Sequence, residues 1–130
     1  MEDNKTASET SYYYTAMSYK ALRNQATAVI YFYKAMKEAI SGNVDSYYSE
    51  MGDSYDKLHK LRKSVIAYQK SLMYDIKPIT YYALANLYDF ELKNKFLAIR
   101  YYKKYLKSNP SEKQKSYTTY TNKRITELSP

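Results

Sequence analysis

An all-α superhelix, built as a solenoid of antiparallel helical hairpins, is the fold class this sequence predicts. Three observations carry the prediction. Aromatic, apolar and small residues recur at three- and four-residue spacings, the period of one helix face. Gly occurs 2 times and Pro 3 times in 130 residues, few enough for long uninterrupted helices. Six columns of residues recur with a period of about 34 positions, the mark of a repeat architecture.

The elements follow in order. Met1–Ala7 is polar, and residues 1–8 are expected to form a flexible N-terminus. Thr6-x-x-Glu9 or Ser8 is the expected cap of a first helix running to about Leu22, with Tyr12, Ala16 and Tyr19 on one face. After a turn at Arg23–Gln25, a second helix carries Ala28, Phe32, Ala35 and Met36 and ends near Ser41-Gly42-Asn43, where Gly42 is the expected C-terminal cap. A third helix places Tyr48, Met51, Gly52 and Tyr55 on one face. A tight turn around Leu58–Leu61 then leads to a fourth with Val65, Tyr68 and Leu72. Such a turn packs the two helices antiparallel. Gly52 lies inside a helix, at a cost on the order of 1 kcal/mol relative to alanine. That cost implies a partner helix pressing on it.

Pro78 opens a fifth helix, where its missing N–H is harmless, with Tyr81, Leu84, Ala85 and Tyr88 on its face. Leu92–Asn94 forms the next turn, and a sixth helix carries Ala98, Tyr102 and Leu106 as far as Asn109-Pro110. Ser111-x-x-Gln114 is the expected capping box of a polar seventh helix ending near Leu128.

The columns tie these elements together. Tyr12, Tyr48 and Tyr81 correspond, as do Ala16, Gly52 and Ala85, and Tyr19, Tyr55 and Tyr88. In the second helices, Ala28, Ser64 and Ala98 correspond, as do Phe32, Tyr68 and Tyr102, and Met36, Leu72 and Leu106. The boundaries read as repeats at 9–42, 45–77 and 78–111, followed by a capping helix and tail at 112–130.

Tyr accounts for 19 residues, against 3 Phe and no Trp, so tyrosine does the aromatic packing. Its polar tip suits helices buried along one edge and wet along the other. There is no Cys, which excludes disulfides, thiolate metal sites and cysteine nucleophiles. No run reaches the roughly 18 apolar residues of a membrane span, and no signal segment opens the chain. A soluble chain without membrane insertion is expected, in a compartment the sequence does not specify.

The repeat resembles the tetratricopeptide repeat family. Its first helices read YxxxAxxY, YxxMGxxY and YxxLAxxY; its second helices supply the small residues Ala28, Ser64 and Ala98, the rings Phe32, Tyr68 and Tyr102, then Ala35 and Ser71. Pro110 closes the third repeat. Tyr105 stands where the family has a small residue, so the last repeat must meet the final helix differently. Ile40 and Ile76 replace the closing proline.

The resemblance implies a superhelix whose concave groove is lined by the first helix of each pair. The groove residues are then Tyr13, Met17 and Lys20, then Ser49, Asp53 and Asp56, then Tyr82, Asn86 and Asp89, with Tyr14 and Glu50 at the edge. Tyrosines mixed with acids suit a peptide or partner protein with apolar anchors and a basic residue near Asp53 and Asp56; a plain solvated face is the bland counterpart. The family's chaperone-tail clamp needs Lys, Asn and Arg where this chain has Tyr13, Met17, Glu50, Ile79 and Ala83. That specificity is excluded.

The net charge of +8 falls elsewhere. Lys34, Lys37, Lys63, Lys70, Arg100, Lys103, Lys104 and Lys107 lie on the second helices, and Lys113, Lys115, Lys123 and Arg124 on the last. A convex lysine face with nearby tyrosines makes a nucleic-acid scaffold the alternative function. No base-reading module is recognisable, so nucleic acid ranks behind protein. A structural segment of a larger protein is a third reading. Three repeats are the minimum for a stable array, which is compatible with a longer chain or with self-association.

No enzyme and no cofactor is expected. His59 is the only histidine, no phosphate-binding glycine loop occurs, and Asp53, Asp56 and Asp89 lack a partner acid or base in a closed pocket.

Overall fold

A computed structural model describes residues 2–39 and 42–130, with side chains from Ser8 onward. The chain is all-helical: α1 Glu2–Ala21, α2 Gln25–Lys37, α3 Val44–Lys57, α4 Leu61–Tyr74, α5 Pro78–Asn86 continued by a π-helical turn Leu87–Glu91, α6 Lys95–Lys107, and α7 Lys115–Leu128 after a 3-10 turn Glu112–Gln114. It divides into two compact units, Met1–Asp75 and Ile76–Pro130.

In the first unit α1 pairs with α2 and α3 with α4 as antiparallel hairpins, and α2 packs on α3 to stack the two. The core is Ala16, Ala28, Val29, Phe32, Met51 and Ala67. Gly52 is buried, and a Cβ added there would sit 2.9 Å from the Tyr68 ring. The ring of the partner helix, rather than its backbone, presses on this position. Serine fits the small-residue columns of α4 because each hydroxyl finds an α3 carbonyl. Ser64 Oγ donates to Gly52 O at 2.7 Å and Ser71 Oγ to Asp45 O at 2.7 Å, as buried hydroxyls require.

The second unit is one hairpin, α5 with its π turn against α6, covered by α7 on α6. Its core contains Leu84, Ala85, Leu87, Ala98, Tyr102, Tyr105 and Leu128. Tyr105 is fully buried, and its hydroxyl lies 3.0 Å from Thr118 Oγ1 and 3.3 Å from Gln114 O. The large residue at this position is thus where the final helix docks.

Tyr12, Tyr19, Tyr48, Tyr55, Tyr81 and Tyr88 are half-buried rather than fully interior. They wall the hairpin edges while Phe32, Tyr68 and Tyr102 fill the centre.

Several expected caps differ. α1 begins at Glu2, so Thr6 and Ser8 fall inside it and neither starts the helix. α2 ends at Lys37 with Glu38 as its cap, and Gly42 has no positive φ, so it does not terminate that helix. Ile40 and Ser41 lie outside the described residues. Ser111 makes no side-chain cap bond; Gln114 N–H instead closes on Ser111 O at 2.9 Å, giving a 3-10 entry to α7. Left-handed residues follow α1, α3, the π turn and α6: Arg23 (φ 62), His59 (φ 60), Lys93 (φ 53) and Asn109 (φ 58).

Candidate functional site

The sequence-predicted groove residues divide between the units, six in the first and three in the second. In the first, α1 and α3 bring their side chains together. Tyr13 is half-buried, with ring centroids 6.2 Å from Phe32, 5.6 Å from Tyr47 and 5.4 Å from Tyr14. Met17 packs against the core. Ser49 Oγ donates to Ser46 O at 3.0 Å, back into its own helix. A cleft of about 210 Å³ beside Tyr13 is lined by Asn43, Ser46 and Tyr47.

One turn on, the face is ionic. Lys20 Nζ lies 2.6 Å from Glu50 Oε2 and 2.6 Å from Asp53 Oδ2, and Lys57 Nζ lies 2.9 Å from the same Asp53 oxygen. Burial opposes the charge on Lys20, but hydrogen bonds to Asp53 and Glu50 outweigh it and raise its pKa. Burial likewise opposes the Asp53 carboxylate, yet Lys20 and Lys57 hold its pKa below the usual range. The basic group expected from a ligand near Asp53 is thus already supplied by the chain. Asp56 is half-buried, and its charge, with those of Asp53 and Glu50, adds to the burial that pushes the Tyr68 phenol well up.

In the second unit Tyr82 lies beneath α7. Its ring stacks on Tyr117 at 4.8 Å and meets Tyr105 at 5.3 Å, Tyr102 at 6.2 Å and Tyr120 at 6.4 Å. Asn86 Oδ1 accepts from the Tyr102 hydroxyl at 3.0 Å. The Asp89 side chain is only 2% exposed, and Arg124 holds it from two nitrogens: Nε to Oδ2 at 2.7 Å and Nη2 to Oδ1 at 2.8 Å. The Tyr102 hydroxyl donates to Oδ2 as well, at 2.9 Å. Burial opposes the Asp89 charge, but Arg124 and Tyr102 lower its pKa overall. Burial, and then the hydrogen bond to Asp89, push the Tyr102 phenol up. Arg124, expected as part of a free basic face, is therefore the fixed counterion of Asp89. Tyr82, Asn86 and Asp89 spend their contacts inside the second unit.

Five lysines of the second helices lie over tyrosine rings. Lys34 is 4.9 Å from the Tyr31 centroid, Lys37 5.4 Å from Tyr33, Lys63 5.8 Å from Tyr55, Lys70 5.7 Å from Tyr48 and Lys104 5.6 Å from Tyr101. Sequence reasoning placed these lysines on an outer face but did not pair them with rings. The shared period of Lys34, Lys70 and Lys104 carries that signal.

Among the described residues no group of three or more His, Cys, Asp or Glu is placed to hold a metal ion, and no helix is long and apolar enough to cross a membrane. No family model matches the chain, and no curated protein matches it.

Proposed function

We propose that this chain is a tetratricopeptide-like scaffold that binds a peptide or partner protein on the α1–α3 face, without catalysis. The observation that carries this reading is the group of large apolar side chains on α1 that the packing leaves wholly or partly in water. On α1, Tyr14 is 63% exposed, and Tyr13 and Met17 beside it are only half-buried. Clustered exposed apolar groups on a small domain mark interaction surfaces. Because Lys20 and Lys57 already pair with Asp53, a ligand on the α1–α3 face is selected mainly by apolar contacts at Tyr13, Tyr14 and Met17. The ionic cluster then fixes orientation at the rim.

Affinity capture from the native extract tests this. Asp53→Lys places three cations together and is expected to abolish partner recovery. Lys103→Glu, on α6, should leave it intact. Recovery unchanged by Asp53→Lys, or lost with Lys103→Glu, contradicts the reading. Recovery of nucleic acid that falls steeply with salt would favour the lysine-face alternative.

A further inference from the structure

The three hairpins share a ring-packing unit that the second leaves unfilled. In the first, the Tyr31 ring stacks on Tyr19 with centroids 5.6 Å apart and planes 13° apart, and lies 6.2 Å from Tyr12. In the third, Tyr101 stacks on Tyr88 at 5.6 Å and 8° and lies 6.4 Å from Tyr81. Tyr31 and Tyr101 are equivalent positions of α2 and α6, and the matching residue of α4 is Ala67. Tyr48 and Tyr55 stand ready in the second hairpin, but α4 supplies no ring at the Ala67 position between them. In its place is an open cavity of about 270 Å³, walled by Tyr48, Tyr55 and Ala67 and floored by Met51. For comparison, an apolar cavity of about 150 Å³ can hold benzene. Tyr74 stacks on Tyr48 at 5.8 Å without lining this space.

The charge around the slot has one sign. Lys63 and Lys70 line it, Lys34 and Lys37 line the adjoining cleft beside Tyr33, and among the described residues no carboxylate lines either. Lys70 is the equivalent of Lys34 and Lys104, which lie over the third ring at 4.9 Å and 5.6 Å. A guest ring in the second hairpin would meet the same arrangement: stacking from Tyr55 and a lysine ammonium over its face.

We propose that the Ala67 slot binds an aromatic side chain of a partner protein segment in which carboxylates flank that residue. The guest ring takes the place that Tyr31 and Tyr101 fill in the other hairpins. The carboxylates meet Lys63 and Lys70 on one wall and Lys37 on the other. The aliphatic lining from Met51, Ile66 and Ala67 suits a protein side chain better than a nucleobase with its polar edge. This surface is separate from the α1–α3 face and stands or falls independently of it.

The test uses the full chain with labelled methyl groups and an acetylated Glu-Glu-Tyr-Glu-Glu amide as probe. The methyl signals of Met51 and Ala67 are expected to shift saturably, with affinity falling as salt rises from about 50 to about 300 mM. A peptide with alanine in place of tyrosine should bind about tenfold more weakly or worse. Ala67→Tyr fills the slot from within, so it should abolish peptide binding while raising the thermal midpoint. Lys70→Glu should weaken binding with the fold unchanged. Equal binding of the tyrosine and alanine peptides, or no shift at Met51 with the tyrosine peptide, overturns the proposal. That comparison decides the matter even if Ala67→Tyr does not fold. Tighter binding of an oligothymidylate strand at the same methyls would assign the slot to nucleic acid instead.

Discussion

At Gly52 a methyl group would sit 2.9 Å from two carbons of the Tyr68 ring. Tyr68 is 6% exposed, so its ring has little room to retreat. Alanine gains on the order of 1 kcal/mol in helix propensity, but overpacking costs about 1–3 kcal/mol. Gly52→Ala is therefore expected to lower stability by about 1 kcal/mol, read from the urea midpoint; a rise in the midpoint contradicts the packing described. A second residue-scale test concerns Asp89. Its pKa is lowered in the fold, below an ordinary value of about 3.9. The stability it contributes is thus fully present above that ordinary value and is lost as pH falls through the folded-state pKa. Asp89→Asn should flatten the acid limb of stability against pH. Arg124→Ala should cost about 1–3 kcal/mol at neutral pH, because it strands a buried carboxylate. A partner helix at Gly52 was legible in the sequence, but the Asp89–Arg124 pair was not. Asp89 and Arg124 lie 35 residues apart, and isolated charges on two polar helix faces look like solvated groups until the helices are placed.

At the scale of elements, the turns within hairpins follow one design. Arg23 N–H bonds to Lys20 O at 2.9 Å and Asn24 N–H to Tyr19 O at 2.8 Å; His59 and Lys60 repeat this with Asp56 O and Tyr55 O, both at 2.9 Å. These are Schellman closures whose left-handed residue is Arg or His rather than glycine. Arg23→Gly and His59→Gly should each stabilise by about 0.5–1 kcal/mol, seen as a higher thermal midpoint; a lower midpoint contradicts the assigned backbone. The next helix is capped by Asn24, which accepts from Thr27 N at 3.2 Å, and by Asn94, which accepts from Leu97 N at 3.1 Å, whereas Lys60 makes no such bond. The third hairpin carries one residue more: Ala28 and Ser64 follow Tyr19 and Tyr55 by nine positions, but Ala98 follows Tyr88 by ten. The extra residue is absorbed in the π turn Leu87–Glu91, where Leu92 N–H reaches Leu87 O at 3.0 Å and Asn94 N–H reaches Tyr88 O at 2.8 Å. A single inserted residue commonly appears as such a bulge. The column spacing held this information, since the repeat period falls from 36 to 33 across the first helices but only to 34 across the second. The π form itself was not readable, because a longer turn absorbs one residue equally well.

For the whole molecule, periodicity made the hairpins and their central columns legible, since Ala16, Ala28, Ala85 and Ala98 are all fully buried as their spacing requires. It did not show which exposed-looking positions a later helix covers. Tyr82 has the same spacing as Tyr13, yet α7 closes over it through Tyr117 and Tyr120. The thin apolar edge of α7 gave little sign of that role. Nor did the six columns include Tyr31, Ala67 and Tyr101, where the second hairpin lacks a ring that the other two carry. The proposed function rests on what the packing leaves uncovered: an α1–α3 face with apolar groups beside an ionic cluster of Lys20, Lys57, Glu50 and Asp53. Site-specific photocrosslinking of the intact chain in its native extract tests that claim most directly. A crosslinker at position 17 is predicted to capture one discrete protein partner, with none captured from position 103. Capture from position 103 and not from position 17 would contradict the account.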